Sequence, residues 1–344
     1  MSTDRDERIM RIALNEARKG RGSTSPNPMV GAVLALGDKI LAKAHHRRAG
    51  LAHAEIECLR AFQKKMPRGA TVYVTLEPCS THGRTAACTR AIINAGVKNL
   101  VIGAIDPNPR HAGRGVRILR GAGVAVRAGI LDLECAELNE SYNKWIQTGR
   151  PFVIAKCAMT LDGRLSASPR EGRWLTGATA RNHAQKLRAQ VDAILIGAGT
   201  LRADNPRLTV RGARNAKQPW RVVLAGKGQL PKSARLFTDR FAERTLVYKN
   251  KSLAAVLRDL GRKEITSVLI EGGGDVLGRA LDARLIDRAQ IYFAPLFTGG
   301  PTTFAGRGAR STYYPARLDR IRYDELGKDV CVSGLLRYDA KIAE

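Results

Sequence analysis

Three side chains that are far apart in sequence constrain this chain more than anything else in it: His53, Cys79 and Cys88. His53 opens His53-Ala54-Glu55 at the start of a stretch with helical periodicity. Cys79 follows Pro78 at the end of the strand-like run TVYVTL (71–76), and Cys88 stands just before the helical segment AIINAG. One imidazole and two thiolates are ligands of the type zinc prefers, and three protein ligands leave the fourth position for water, as catalytic zinc requires. If all three serve one ion, two helix starts and a strand end must meet at one point, which calls for a layered α/β fold. Such an ion lowers the pKa of bound water to about 7. Glu55, two residues past the ligand His, can face that water without binding metal, which suits a general base that returns the proton to a departing amine.

The surrounding pattern supports layers. Residues 5–19 place Ile9, Ile12, Ala13 and Ala17 at helical spacing, stopped by Gly20. Strands are expected at 30–35 and 40–44 with a turn at Gly37-Asp38, at 71–76 and across NLVIGAI. Helices are expected at 53–65, through AIINAG, near 113–121 and at 132–147, so the first half predicts a mostly parallel sheet with helices on both faces. The Gly/Pro break Thr148–Pro151 is the best boundary, giving domains at 1–147 and 151–344. Beyond it six strand-like runs follow: FVIAKCAM, DAILIG, WRVVLAG, TLVY, SVLIEGGG and AQIYFAPL. Two of them lead into Gly-rich turns, ILIGAGT (194–200) and VLIEGGGDVLG (268–278), where backbone can approach a pyrophosphate.

Charge narrows the ligand class. The formal net charge is +27, of which residues 1–150 carry +11 and the remainder +16, so the excess is not a tail. A basic surface attracts phosphate on a nucleic acid or a small molecule, or reflects solvated Arg-rich faces. No apolar run reaches the ~18 residues a membrane span needs. The opening MSTDRDERIM fits neither a secretory signal nor a typical transit peptide, so a cytoplasmic enzyme is expected. Its cysteines should be reduced, with Cys58, Cys135, Cys157 and Cys331 reading as core thiols.

The signature H-x-E…P-C-x-x-C belongs to zinc deaminases of nucleobases. Here the two cysteines flank eight residues, STHGRTAA, rather than two. PCSTHGRTAAC, with SPNPMVGAVLA, HRRAGLAHAE and DPNPRHAGRG, resembles the deaminase half of the bifunctional deaminase–reductases of riboflavin biosynthesis. Thr81 replaces the His usual in that family, with His82 beside it. KCAMTLDGR, RWLTGATAR, LRAQVDAILIGAGTLRADNPRLTVR and LIEGGGDVLGRAL resemble the reductase half, in the family's order.

The resemblance implies a cytidine-deaminase-like three-layer αβα domain followed by a dihydrofolate-reductase-like α/β domain. It implies Zn²⁺ and NADPH as cofactors and a small phosphorylated aminopyrimidine as substrate, with no nucleic acid, no membrane and a homo-oligomer expected. In the deaminase half it marks Asn27, His46 and Arg84 for substrate. In the reductase half it marks Ala158, Trp174, Thr200, Asp204 and the loop Gly273, Gly274, Asp275, Val276, Leu277, Gly278 and Arg279 for NADPH. Arg188, Leu208, Arg211 and Glu271 fall at substrate positions, and Lys156 and Glu271 are candidates to donate a proton during hydride transfer. Where the family usually has Asp after WRVVL, this chain has Ala225-Gly226. Asp162 reads equally as a turn residue. Two other classes compete: a nucleic-acid-editing deaminase with a basic RNA-binding second domain, and a deaminase with a vestigial second domain.

Overall fold

The apolar runs GAVLAL and TVYVTL become neighbouring strands in the computed structural model, which describes residues 3–81, 87–165, 174–212, 217–226, 228–299 and 315–338. The chain divides into two units, Met1–Gly149 and Arg150–Glu344. The first runs α1 (Thr3–Arg18), β1 (Gly31–Leu36), β2 (Lys39–His45), α2 (Ala54–Phe62), β3 (Thr71–Leu76) and α3 (Cys88–Asn94). It continues with β4 (Asn99–Ala104), α4 (Arg114–Gly121), β5 (Ala125–Ala128), α5 (Asp132–Leu138) and α6 (Glu140–Thr148). Among the described residues these strands form a five-stranded sheet in the order β2-β1-β3-β4-β5.

Only part of that sheet is parallel. β3, β4 and β5 run parallel, but β1 is antiparallel to both β2 and β3. The cause is the tight turn at Gly37-Asp38, because a hairpin can only reverse direction, whereas the later strands are linked through helices. α1 lays Ile9, Met10, Ala13, Leu14 and Ala17 on the sheet, all essentially buried. It crosses β1 at Gly31, where a Cβ would sit 2.0 Å from the Ala13 carbonyl oxygen, so only glycine permits this approach.

Two expected helices differ. The one at 53–65 stops at Phe62, because Gln63 turns left-handed with φ 47°. The one at 132–147 is two helices broken at Asn139, whose amide accepts from Met29 N–H (2.7 Å) and donates to Met29 O (2.9 Å). That side chain mimics a backbone partner for Met29, and the helix is interrupted where it does so.

The second unit runs β6 (Phe152–Thr160), α7 (Ala178–Arg188), β7 (Ala193–Gly197), α8 (Ala198–Asp204), β8 (Trp220–Ala225), α9 (Arg235–Thr238) and β9 (Thr245–Lys249). Then come α10 (Leu253–Arg262), β10 (Ser267–Ile270), α11 (Gly274–Asp282), β11 (Arg288–Ala294), β12 (Arg317–Leu326) and β13 (Asp329–Arg337). Its sheet has the order β12-β13-β11-β6-β10-β7-β8-β9. From β11 to β9 neighbours are parallel, and β12 and β13 add an antiparallel edge. Those last two strands escape the apolar pattern. β12, RLDRIRYDEL, is a largely exposed edge strand laced with charge, as edges that resist further pairing are.

β10 inserts between β6 and β7 although it comes last of the three in sequence. The carboxyl ends of parallel neighbours lie on one edge, so the Gly-rich turns after β7 and β10 emerge side by side.

Candidate active sites

In the first unit, His53 is the N-cap residue of α2, Cys79 follows β3 and Cys88 begins α3. Their ligand atoms all lie within 4.8 Å of one another. His53 Nδ1 is 3.2 Å from Cys88 Sγ and 3.5 Å from Cys79 Sγ. Nitrogen and sulfur ligands at tetrahedral angles around zinc are roughly 3.6 Å apart, so the three atoms stand where a zinc ion would hold them. Cys88 N–H points at Cys79 Sγ (3.4 Å). The Cys79 thiol is pulled down to about 4 by its hydrogen bond with Cys88 and by His53, while the same bond and burial push Cys88 up. A dication bound between them would favour the thiolate form of both.

Glu55 sits in the first turn of α2, 3% exposed. Burial raises its pKa, opposed by His53. Asn27 and His46 meet: Asn27 Nδ2 is 3.2 Å from His46 Nε2, and His46 Nδ1 is 3.0 Å from Ala52 O. The carbonyl requires the proton on Nδ1, so Nε2 accepts from Asn27. His46 is buried, its ring edge-on to His53 with centroids 5.3 Å apart, and it packs behind the ligand. Arg84 and His82 lie outside the described residues.

Sequence reading overlooked the support beneath this site. Buried Glu77 accepts from Gly113 N–H (2.8 Å), Val116 N–H (3.1 Å) and Asp106 N–H (3.4 Å), which clamps the loop before α4. Gly115 presses there against Pro78, where a Cβ would come within 2.3 Å of the Pro78 carbonyl oxygen. The half-buried His111 turns Nδ1 toward Ser80 N–H and Oγ at 3.5 and 3.4 Å, next to Cys79. A carboxylate between a strand and a Pro-Cys pair was the available signal for Glu77.

In the second unit, a cavity of about 540 Å³ gathers Lys156, Ala158, Trp174, Arg188, Thr200, Asp204, Leu208, Arg211, Glu271, Gly273 and Gly274. These residues come from six segments between 156 and 274. Arg188 Nε and Nη2 donate to the two Glu271 carboxylate oxygens at 2.7 and 2.5 Å. Burial alone would raise Glu271, but Arg188 more than offsets it and the pKa is lowered, with Lys156 and Arg211 adding to the effect. Lys156 Nζ lies 5.5 Å from the centre of the Tyr292 ring.

An adjoining cavity of about 930 Å³ is lined by Gly197–Thr200, Gly226, Gly273, Gly274, Asp275, Val276 and Arg279. A Cβ added at Gly199 or Gly226 would meet nothing within 4 Å, and one at Gly273 only Thr200 Oγ1 at 3.5 Å. The protein itself therefore does not fill the space before these glycines, which fits a cradle for a dinucleotide. Leu277 and Gly278 differ from the other loop candidates. Both are buried within α11, Leu277 in the apolar core, and they line neither cavity. Asp162 acts as a tie: Thr160 Oγ1 donates to it, and so do Thr298 N–H (3.1 Å) and Gly299 N–H (2.6 Å).

Fold and sites together define a deaminase domain followed by a reductase domain. Residues 3–104 match the cytidine and deoxycytidylate deaminase zinc-binding region, and residues 151–332 match the RibD C-terminal domain. The riboflavin biosynthesis protein RibD of Aquifex aeolicus is 35% identical over 95% of this chain and 97% of its own length. Its Escherichia coli counterpart is 36% identical over 95% and 98%. An Acinetobacter baumannii RibD structure superposes with a TM-score of 0.88, at 33% identity, covering 98% of this chain and all of that one. The diaminohydroxyphosphoribosylaminopyrimidine deaminase/5-amino-6-(5-phosphoribosylamino)uracil reductase of Thermotoga maritima gives 0.88 at 33% identity, covering 98% and 99%. The chain belongs to the RibD family: it is a bifunctional deaminase–reductase of riboflavin biosynthesis, using zinc in its first unit and NADPH in its second.

Proposed function

We propose that the first unit deaminates 2,5-diamino-6-ribosylamino-4(3H)-pyrimidinone 5′-phosphate, and that the second reduces the ribosyl group of the product to ribityl. The observation that carries the first step is the convergence of His53, Cys79 and Cys88 with buried Glu55 two residues from the imidazole. Zinc, when bound there, supplies a water acidic enough to attack at neutral pH. Glu55 takes a proton from the attacking water on its carboxylate oxygen and delivers it to the leaving amino nitrogen. Asn27, His46 and Arg84 are assigned to the substrate, with the His46 ring edge-on to that of His53.

In the second unit NADPH supplies hydride. When bound, its phosphates would be held by Thr200, Gly273, Gly274 and the α11 N-terminus, and Asp275, Val276, Arg279, Ala158, Trp174 and Asp204 would supply the other cofactor contacts. Arg188, Leu208 and Arg211 hold the substrate. Glu271, kept ionised by Arg188, accepts hydrogen bonds rather than donating a proton, which leaves Lys156 Nζ as the donor to the ribose oxygen as the ring opens.

Among the described residues no helix is long and apolar enough to cross a membrane. We assign the cytoplasm because all six cysteines are free, two of them as zinc ligands. The homo-oligomer is checked by solution mass, and no nucleic-acid partner enters this reading. Glu55→Gln tests the deaminase assignment: zinc content holds, deamination falls 10²–10⁴-fold, and reduction of already deaminated substrate continues. Deamination at the parent rate would refute the role of Glu55.

A further inference from the structure

Beside the reductase cavity lies a second basic recess of about 480 Å³, walled by Arg207, Arg211, Arg235 and Arg240 with Asp239 and Phe241. A narrow passage of about 140 Å³ shares Arg207, Arg211 and Arg235 with it, and Trp174, Arg188 and Leu208 with the reductase cavity. The recess therefore adjoins the reductase cavity, with Arg211 common to both.

Its charge is only partly balanced: Arg207 acts on Asp239 and Arg211 on Glu271, while Arg235 and Arg240 have no acidic group against them among the described residues. Asp239 is its lining carboxylate, and that group accepts from Arg221 Nη1 at 2.7 Å. Several guanidinium groups facing one space repel each other unless an anion joins them.

The four arginine side chains are exposed, but the main chain beneath most of them is fixed in advance. Arg221 is 1% exposed, and besides Asp239 it donates to Arg207 O (3.4 Å), Leu236 O (2.9 Å) and Thr245 Oγ1 (3.0 Å). Gln218 clasps Val210, accepting from its N–H at 2.8 Å and donating to its carbonyl at 3.2 Å. Gln185 Oε1 accepts from Arg211 N–H (3.0 Å), and Asn205 Oδ1 from Arg235 N–H (2.9 Å). Buried or backbone-directed side chains thus hold the main chain beneath most of these arginines, which lowers the ordering cost of binding.

We propose that this recess is a second phosphate-binding site, separate from the Arg188–Glu271 pair and connected to it. Guanidinium forks match phosphate oxygens bidentately, so a phosphomonoester or pyrophosphate group is the ligand chemistry it fits. The inference shares Arg211 with the substrate roles proposed above, and its test therefore uses Arg235 and Arg240, which those roles do not include.

The test titrates the zinc- and NADPH-loaded enzyme with inorganic pyrophosphate by calorimetry. Losing charge-assisted hydrogen bonds from two arginines should weaken binding at least ~10-fold in Arg235→Ala/Arg240→Ala. Arg258→Ala, which removes an exposed charge on α10, should bind as the parent does. The Gln/Gln version of the double variant gives the same reading if the Ala pair folds poorly. Two sources of phosphate are then separable. If the substrate's own phosphate visits the recess, pyrophosphate competes with substrate and the double variant raises KM. If another phosphorylated molecule uses it, pyrophosphate still binds with the reductase cavity filled by product. No binding, or equal weakening in the double variant and Arg258→Ala, overturns the proposal and leaves only general attraction to a +27 chain.

Discussion

Removing Arg188 should destabilise the second unit in a way that depends on pH with a defined sign. Arg188 and Glu271 are 16% and 8% exposed, joined through two hydrogen bonds, so Arg188→Ala strands a buried carboxylate. Breaking one partner of a buried pair costs about 3–5 kcal/mol, and the residual charge of Lys156 and Arg211 places this case near the lower figure. For a unit of this size that is a Tm loss of roughly 6–12 °C. In the parent protein Glu271 has a lowered pKa, so its contribution is complete above the unfolded carboxylate value near 4.5 and is lost as pH falls through the folded one. In Arg188→Ala the dominant remaining influence is burial, which raises the pKa. The penalty should then be full at pH 7.5 and shrink as the buried carboxylate takes up a proton at lower pH. Urea unfolding of both proteins between pH 5 and pH 7.5, followed by a second-unit probe, reads the difference directly. Adding Glu271→Ala to Arg188→Ala should restore part of the stability by removing the orphaned charge. A deficit that stays constant with pH, or a double variant no better than the single, would refute the assignment of the cost to an unpaired carboxylate.

Cys88→Ser should lower zinc well below about one ion per chain in metal analysis and abolish deamination, since three ligands leave no redundancy. Gly273→Ala should leave Tm within about 1 °C, because its Cβ finds only ordinary contact at Thr200, while NADPH affinity measured by fluorescence titration drops if the backbone faces the cofactor. Glu77→Ala should cost about 1.5–3 kcal/mol by orphaning the N–H groups at Gly113 and Val116, seen as a first-unit Tm loss with parental NADPH binding.

Most of the elements that carry chemistry were legible because they carry short-range signals. TVYVTL read as a strand and became one over its full length, since a strand buried on both faces must be apolar throughout. The zinc ligands were legible for a different reason: side-chain chemistry restricts them more tightly than packing does. What escaped depends on distant partners. The break at Asn139 exists because Met29, 110 residues earlier, needs a donor and an acceptor. Glu77 and His111 act through loops that no local pattern announces, and β12 is held by pairing with β13 despite its charged sequence. Leu277 and Gly278 were carried into the cofactor loop by resemblance to a contiguous stretch, but one helical turn takes them into the core.

The place of β10 between β6 and β7 also sets a timetable during synthesis. The first unit can close around its ligands once Gly149 has emerged, since all its strands precede that point. β6 and β7 must wait for residues 267–270 before their shared neighbour exists. At about 5–20 residues per second, the ribosome needs on the order of 6–24 s to cover that interval. Once made, AILIG presents an open edge for roughly the last 73 residues of it, about 4–15 s. A nascent deaminase is thus finished while its reductase is still the part of the polypeptide most in need of a chaperone.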